Sequence, residues 1–234
     1  MMFFDFPLVK SRFIKRVNRF TCEVEIKRET TLAHLHDPGR LDTVLKDGMD
    51  MYLRKATGGN RKTGYDIILA RRDKEYILIN TSFSNLVAAE LIQKGKIPKL
   101  EGFSIIRPEF KYKDSRFDFL LNGPEGAQML LEVKAVTKAR NKLALFPDAP
   151  TERGQRHLRT LSVSLDDGYV AGIMFVAFRN HVTAFSPDSE IDPEFARLLS
   201  EANQKGVRTI VVKTDITKGG VEFDKILPVK INGN

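Results

Sequence analysis

A single cysteine, Cys22, in 234 residues excludes a disulfide framework and suits a reducing cytoplasm. Its place in the alternating stretch FTCEVEI reads as a small core residue. No long hydrophobic run occurs: the longest, YVAGIMFVAF, is about half of the roughly 20 residues that a spanning helix needs. The opening MMFFDFPLVK carries Asp5 and Pro7 and lacks a basic head and a small-residue cleavage site, so no targeting segment is expected. Neither G-x-x-x-x-G-K-[ST] nor G-x-G-x-x-G is present, which argues against nucleotide-fuelled chemistry, and there is no G-x-S-x-G elbow. Repeats and low-complexity tracts are also missing. With 42% hydrophobic residues and only 10 prolines, the expectation is an ordinary globular, cytoplasmic protein with no membrane contact.

Acidic charge is in deficit. Thirty-eight Lys and Arg against 30 Asp and Glu leave a net charge of +8. That balance favours polyanionic partners, nucleic acid first, although a basic surface alone is compatible with none.

Two pattern regimes divide the chain. Up to about residue 82 the period is mostly two, as in FTCEVEIKR, where Phe20, Cys22, Val24 and Ile26 alternate with polar residues. Further short strands are expected at LVKSRFIKRV, TTLAHLH, MDMYLRK, YDIILARR and EYILIN. DPGR, KDG and TGGNRKTG supply turns, and GRLDTVLKDG reads as one short helix. Five or six short strands in this span suggest a small barrel, for which the oligonucleotide-binding (OB) type is one candidate. After residue 82 helices and strands alternate, which predicts an α/β domain over 83–234. Its helices are expected at SFSNLVAAELIQKGK, capped by Ser82 or Ser84, at TERGQRHLRTLSVSL and at PEFARLLSEANQKG.

The stretch RFDFLLNGPEGAQMLLEVKAV, residues 116–136, carries the chemistry. NGPEG is a turn, so the flanking strands form an antiparallel hairpin. Position 125, midway between Asp118 and Glu132, lies inside that turn, which places the two carboxylates opposite or nearly opposite each other. Glu132 and Lys134 share a face of one strand. Carboxylates that close repel and resist ionisation away from water. Mg²⁺ or Mn²⁺ would relieve the repulsion while keeping waters for a substrate phosphate. Lys134 could then orient or deprotonate a water, or stabilise phosphate charge. A buried ion pair is the plainer alternative. Glu90, on the apolar stripe Phe83, Leu86, Val87, Ala89, Leu91, is a third candidate metal ligand, or else marks the stripe's edge. Arg153, Arg156 and Arg159 form a basic row with Gln155 and His157 on the same helix. The row is suited to a phosphate backbone, with His157 as a general acid, a phosphate contact or an edge residue.

Asp118, thirteen residues, then Glu132-Val-Lys134 resembles the PD-(D/E)XK nuclease core, although Phe117 stands where that motif has proline. AHLHDPGRL, NTSFSNLVAAEL, EVKAVT and FPDAPTERGQRHLRTL together resemble the sugar fermentation stimulation protein A family over nearly the full length. The resemblance implies DNA binding, an OB-like N-terminal domain over 1–82 and a nuclease-like domain over 83–234. It also implies a centre at Asp118, Glu132 and Lys134, preceded by the helical acid Glu90. The family name implies a regulatory role and leaves catalysis open.

Other cations extend the expected nucleic-acid surface. Lys10, Arg12, Lys15, Arg16 and Arg19 interleave with Phe13 and Phe20, which read as core residues, so the cations are taken as backbone contacts. Arg40 joins them. RKATGGNRKTG adds four cations on a loop. His34 and His36 share a strand face but lack a third soft ligand, and read as a strand end before the DPG turn. DNA is the expected partner, with RNA as a further possibility. Catalysis against binding alone, and the oligomeric state, stay open.

Overall fold

The computed structural model describes residues 2–57 and 61–231. Residues 58–60 of the expected TGGNRKTG turn therefore lie outside the described residues. Strands β1 (Met2–Phe3), β2 (Val9–Asn18), β3 (Thr21–Ile26), β4 (Glu29–His34), β5 (Asp50–Lys55), β6 (Tyr65–Arg72) and β7 (Glu75–Leu78) precede helix α1 (Phe83–Gln93). Five of them close a barrel: the order is β4-β3-β2-β5-β6, and a parallel β4–β6 pairing joins the ends, with β7 added along β6. Closure removes the free edges that a five-stranded sheet would otherwise present. The alternating pattern does this work, since Phe13, Cys22, Val24, Ala33, Met51, Leu53 and Ile67 fill the interior. Cys22 is fully buried, and burial pushes its thiol up to about 11.

Beyond α1 come β8 (Ser104–Tyr112), β9 (Ser115–Asn122), β10 (Gln128–Val136), β11 (Lys138–Arg140), β12 (Leu143–Phe146), α2 (Glu152–Ser164), β13 (Val170–Ala177), β14 (Ala184–Pro187), α3 (Pro193–Lys205), β15 (Arg208–Thr217) and β16 (Gly220–Ile226). The large sheet runs β1-β16-β15-β13-β10-β9-β8, with β10, β13 and β15 parallel and the outer strands antiparallel. Alternation on β10 splits the core. Met129, Leu131 and Val133 pack with α1, while Leu130 and Val136 pack with the side that α2 and α3 cover. The α1 face also takes in Tyr52, Ile68, Leu69 and Leu78 of the barrel, so barrel and α/β part share one apolar interface. A second bond between them is ionic. Arg179, after β13, donates Nε and Nη2 to the two Glu75 carboxylate oxygens at 3.1 and 2.8 Å, and Nη1 to the Thr137 carbonyl at 3.0 Å. Among the described residues no helix is long and apolar enough to cross a membrane.

Several local expectations need correction. GRLDTVLKDG is a run of turns: Leu41 has φ +53°, and its carbonyl accepts from both Val44 and Leu45. Leu41, Val44 and Leu45 imitate helical spacing because they plug the barrel. Neither Ser82 nor Ser84 caps α1 through its side chain. Ser82 Oγ donates to Asn80, and Ser84 Oγ to the Thr81 carbonyl. Phe20 is 45% exposed and is not a core residue, whereas Phe13 is buried. Strands β1, β11 and β12 were not foreseen.

Candidate metal and nucleic-acid site

The β9–β10 hairpin pairs Gln128 with Asn122, Met129 with Leu121, Leu130 with Leu120 and Leu131 with Phe119. The ladder stops one pair short of Asp118 and Glu132. There the Asp118 carboxylate replaces a strand partner: Oδ2 accepts from the Val133 amide at 2.7 Å, and Oδ1 accepts from Asn85 Nδ2 of α1 at 2.8 Å. Glu132, 1% exposed, meets the Lys134 ammonium through Oε1, and His157 Nδ1 of α2 lies 2.7 Å from the same oxygen. The His157 ring packs on Phe117, 5.5 Å between centroids. The other Glu132 oxygen, Oε2, is buried and has no hydrogen-bond partner among the described residues.

Asp118, Glu132 and Lys134 line one hollow of about 490 Å³. Further walls come from the barrel side, with Arg19, Asp37 and Gly39, from the end of β12 and the segment after it, with Phe146 and Asp148, and from α2, with Arg153. A second acidic pair therefore faces the same space. Asp148 packs so tightly over Gly39 that a Cβ there would lie 2.2 Å from its carboxylate, which requires a residue without a side chain.

The electrostatics divide the carboxylates. Burial, then the neighbouring Glu132, raises Asp118 to about 6 against the pull of the Val133 amide and Asn85. For Glu132 burial works upward as well, but Lys134 and His157 outweigh it and hold the carboxyl below its usual range. Asp37 is raised to about 7 by burial and by Asp148. In the folded protein Asp37 thus keeps a proton between about pH 4 and 7 that the unfolded chain has released. Its contribution is full below about pH 4 and declines as pH rises through 7, by up to about 4 kcal/mol. Asp37→Asn retains an acceptor for the Gly39 amide, which bonds Oδ1 at 2.8 Å. The variant is expected to melt higher than wild type at pH 8 and to show a flatter dependence of Tm on pH between 4 and 8.

The other expected site residues scatter. Glu90 is not brought to the hollow. It pairs with Lys94 one turn on, and lines a separate small recess with Val221 and Phe223. The buried stripe of α1 is Phe83, Ser84, Val87, Ala88, Leu91 and Ile92, so the helix is rotated from the expected phase and Leu86 is exposed. Asn85 is the residue of α1 that reaches the carboxylates. Arg16 is no surface cation either. Its guanidinium donates to the carbonyls of Asn18, Arg19, Asp37, Gly39 and Arg40 at 2.6–3.3 Å, and so clips the 37–40 turn to β2. Gln155 Nε2 is held by Asp192, which also caps α3 by accepting from the Phe195 amide. His157 is 1% exposed and supports Glu132 from behind, out of reach of a DNA backbone. Lys15 pairs with Glu23 at 3.3 Å and Arg159 with Glu194 at 2.6 Å. Arg12, Arg40, Arg153 and Arg156 stand exposed, and Arg19 uses Nε on the Pro38 carbonyl at 3.1 Å. His34 and His36 meet edge to face, and His36 Nε2 contacts Asp66 at 3.1 Å. Of the cations expected on the 54–64 loop, Arg54 belongs to β5, and it closes with Arg61 on the same buried Asp66. Asp37 and Asp148 were missed: DPGR was read only as a turn, and 111 residues separate the pair.

The donor set suits a hard cation. Two carboxylates supply oxygen ligands, and the orphaned Glu132 Oε2 is a buried lone pair lacking a donor. Among the described residues no three His, Cys, Asp or Glu converge as metal ligands. Protein would therefore supply two carboxylates, leaving the remaining positions to water and phosphate, as Mg²⁺ commonly requires.

Comparison with known proteins agrees with this architecture. Residues 14–79 match the SfsA N-terminal OB domain, and residues 82–220 match the sugar fermentation stimulation protein RE domain. A sugar fermentation stimulation protein homolog of Methanothermobacter thermautotrophicus is 45% identical over 93% of this chain and 90% of its own. One from Pyrobaculum islandicum is 40% identical over 96% of each. The solved structure of Pyrococcus furiosus SfsA in complex with Ca²⁺ superposes with a TM-score of 0.91 at 31% identity, covering 98% of both chains. The chain belongs to the sugar fermentation stimulation protein family.

Proposed function

We propose that the chain is a DNA-binding protein with a Mg²⁺- or Mn²⁺-dependent phosphodiesterase centre at Asp118, Glu132 and Lys134. The observation that carries this reading is the buried Glu132 Oε2, without a hydrogen-bond partner among the described residues, beside Asp118 in a hollow that Arg19, Lys134 and Arg153 also line. Ca²⁺ in the Pyrococcus furiosus relative supports a hard-cation site. When bound, the cation would stabilise charge on a phosphate and acidify a water. Asp118 and Glu132 would hold it, Asn85 and the Val133 amide fix Asp118, and His157 backs Glu132. Lys134 Nζ is placed to take or hold a proton of the attacking water, or to steady phosphate charge. Arg19 and Arg153 neutralise the strand at the rim. The barrel, residues 1–82, and the α/β part, residues 83–234, act on one DNA, since both contribute walls. A single buried cysteine needs no oxidising compartment, which supports a cytoplasmic location.

One observation favours binding without chemistry. The Lys134 ammonium already pairs with Glu132 Oε1, and His157 Nδ1 approaches the same oxygen, so that oxygen is engaged without a metal. Incubating wild type and Asp118→Asn/Glu132→Gln with labelled DNA and Mn²⁺ decides. The catalytic reading expects cleavage by wild type and a loss of at least about 100-fold in the variant. No cleavage of duplex, single-stranded or flapped DNA by wild type would leave binding alone.

A further inference from the structure

Phe20 sits in the turn between β2 and β3 with its backbone fixed on both sides. Its amide donates to Asn18 Oδ1 at 2.9 Å, and its carbonyl accepts from the Leu35 amide at 2.9 Å. The preceding Arg19 carbonyl accepts from Arg16 at 2.7 Å. Yet the ring is 45% exposed. A lone exposed phenylalanine is unremarkable, but this one has company. Its ring stacks on His34, 6.3 Å between centroids and 23° between planes, and His34 in turn meets His36 at 4.3 Å, edge to face. Burial, His36 and Arg61 hold the His34 pKa below its ordinary value, so near neutral pH the neutral imidazole prevails. Arg19 lies over the Phe20 ring at 5.7 Å, and the same Arg19 lines the hollow that holds Asp118 and Glu132. A half-exposed ring on a fixed backbone, with the Arg19 guanidinium over it, thus stands next to the carboxylate hollow that Arg19 lines.

Cations that track phosphates next to rings that stack bases are the parts of a single-strand site, and pre-fixing the ring lowers the ordering cost.

We propose that an unpaired base of single-stranded DNA displaces the Arg19 guanidinium from the Phe20 ring and stacks there, with His34 packed alongside, while Arg19 turns to the backbone that passes into the carboxylate hollow. This rests on the reading of the chain as a DNA-binding protein and adds the substrate class. The test measures binding in EDTA, where no cleavage intervenes, by fluorescence anisotropy of a labelled oligo-dT strand and of a blunt duplex, with wild type, Phe20→Ala and Phe20→Trp. Melting curves confirm that both variants fold. Phe20→Ala is expected to weaken oligo-dT binding about tenfold and duplex binding less than twofold, and Phe20→Trp to restore the former. Unchanged oligo-dT binding by Phe20→Ala, or equal loss on both DNAs, overturns the platform while leaving DNA binding intact. Wild type that binds neither DNA overturns the platform together with the proposed function.

Discussion

Arg179→Ala is expected to lower stability by about 3–5 kcal/mol and to loosen the barrel from the α/β part. Arg179 and Glu75 have side chains only 9% and 6% exposed, and their bidentate pairing spans the junction. Removing one partner of a buried pair leaves the other charged and dry, and that penalty exceeds what the pair contributes over an apolar replacement. Glu75 has a further duty, because its Oε1 also accepts from the Asn180 amide at 2.9 Å, and Asn180 in turn bridges to Ile216 in both directions. Denaturant unfolding reads the loss. The double variant Arg179→Met/Glu75→Leu, which removes both charges at similar volume, should recover most of it. Equal instability in the single and double variants would show that the pair itself, and not an orphaned charge, sets the cost.

Lys134→Met should move cation affinity and cleavage in opposite directions. The ammonium occupies Glu132 Oε1 and adds positive charge where a divalent cation would sit. Deleting it removes a competitor, so Mn²⁺ binding measured calorimetrically should tighten several-fold. Cleavage should fall by about 100-fold or more, the scale of a lost proton-transfer group. Loss of both would make Lys134 a scaffold for the carboxylates. Cleavage at the wild-type rate would remove Lys134 from the chemistry.

What could be read in the sequence was local. Period-two alternation and Gly, Pro and Asn turns are properties of neighbouring residues, so the closed barrel and the NGPEG hairpin register were visible in FTCEVEI and around position 125. The helix α1 was visible too, but its phase was not. Phe83, Val87 and Leu91 fit either rotation, and only packing against β10 and the barrel selects Ser84, Ala88 and Ile92 as their companions. That small rotation carries Glu90 out of the centre and brings Asn85 in. Arg16 was misread for a related reason. Its partners are backbone carbonyls of a distant turn, which leave no mark on composition. The Asp37–Asp148 pair depends on the barrel docking against the segment after β12, a long-range event with no periodic signature. Phe20 looked like core because it shares the alternation of Cys22 and Val24, yet it falls in the turn just before β3, where no strand covers it.

The central claim is that the Asp118 and Glu132 carboxylates hold one hard divalent cation. Anomalous scattering from crystals soaked in Mn²⁺ tests it directly. The account predicts a single strong peak within about 2.5 Å of oxygens from both Asp118 and Glu132, absent in Asp118→Asn/Glu132→Gln crystals. A peak that avoids both carboxylates, or persists unchanged in the variant, would contradict it.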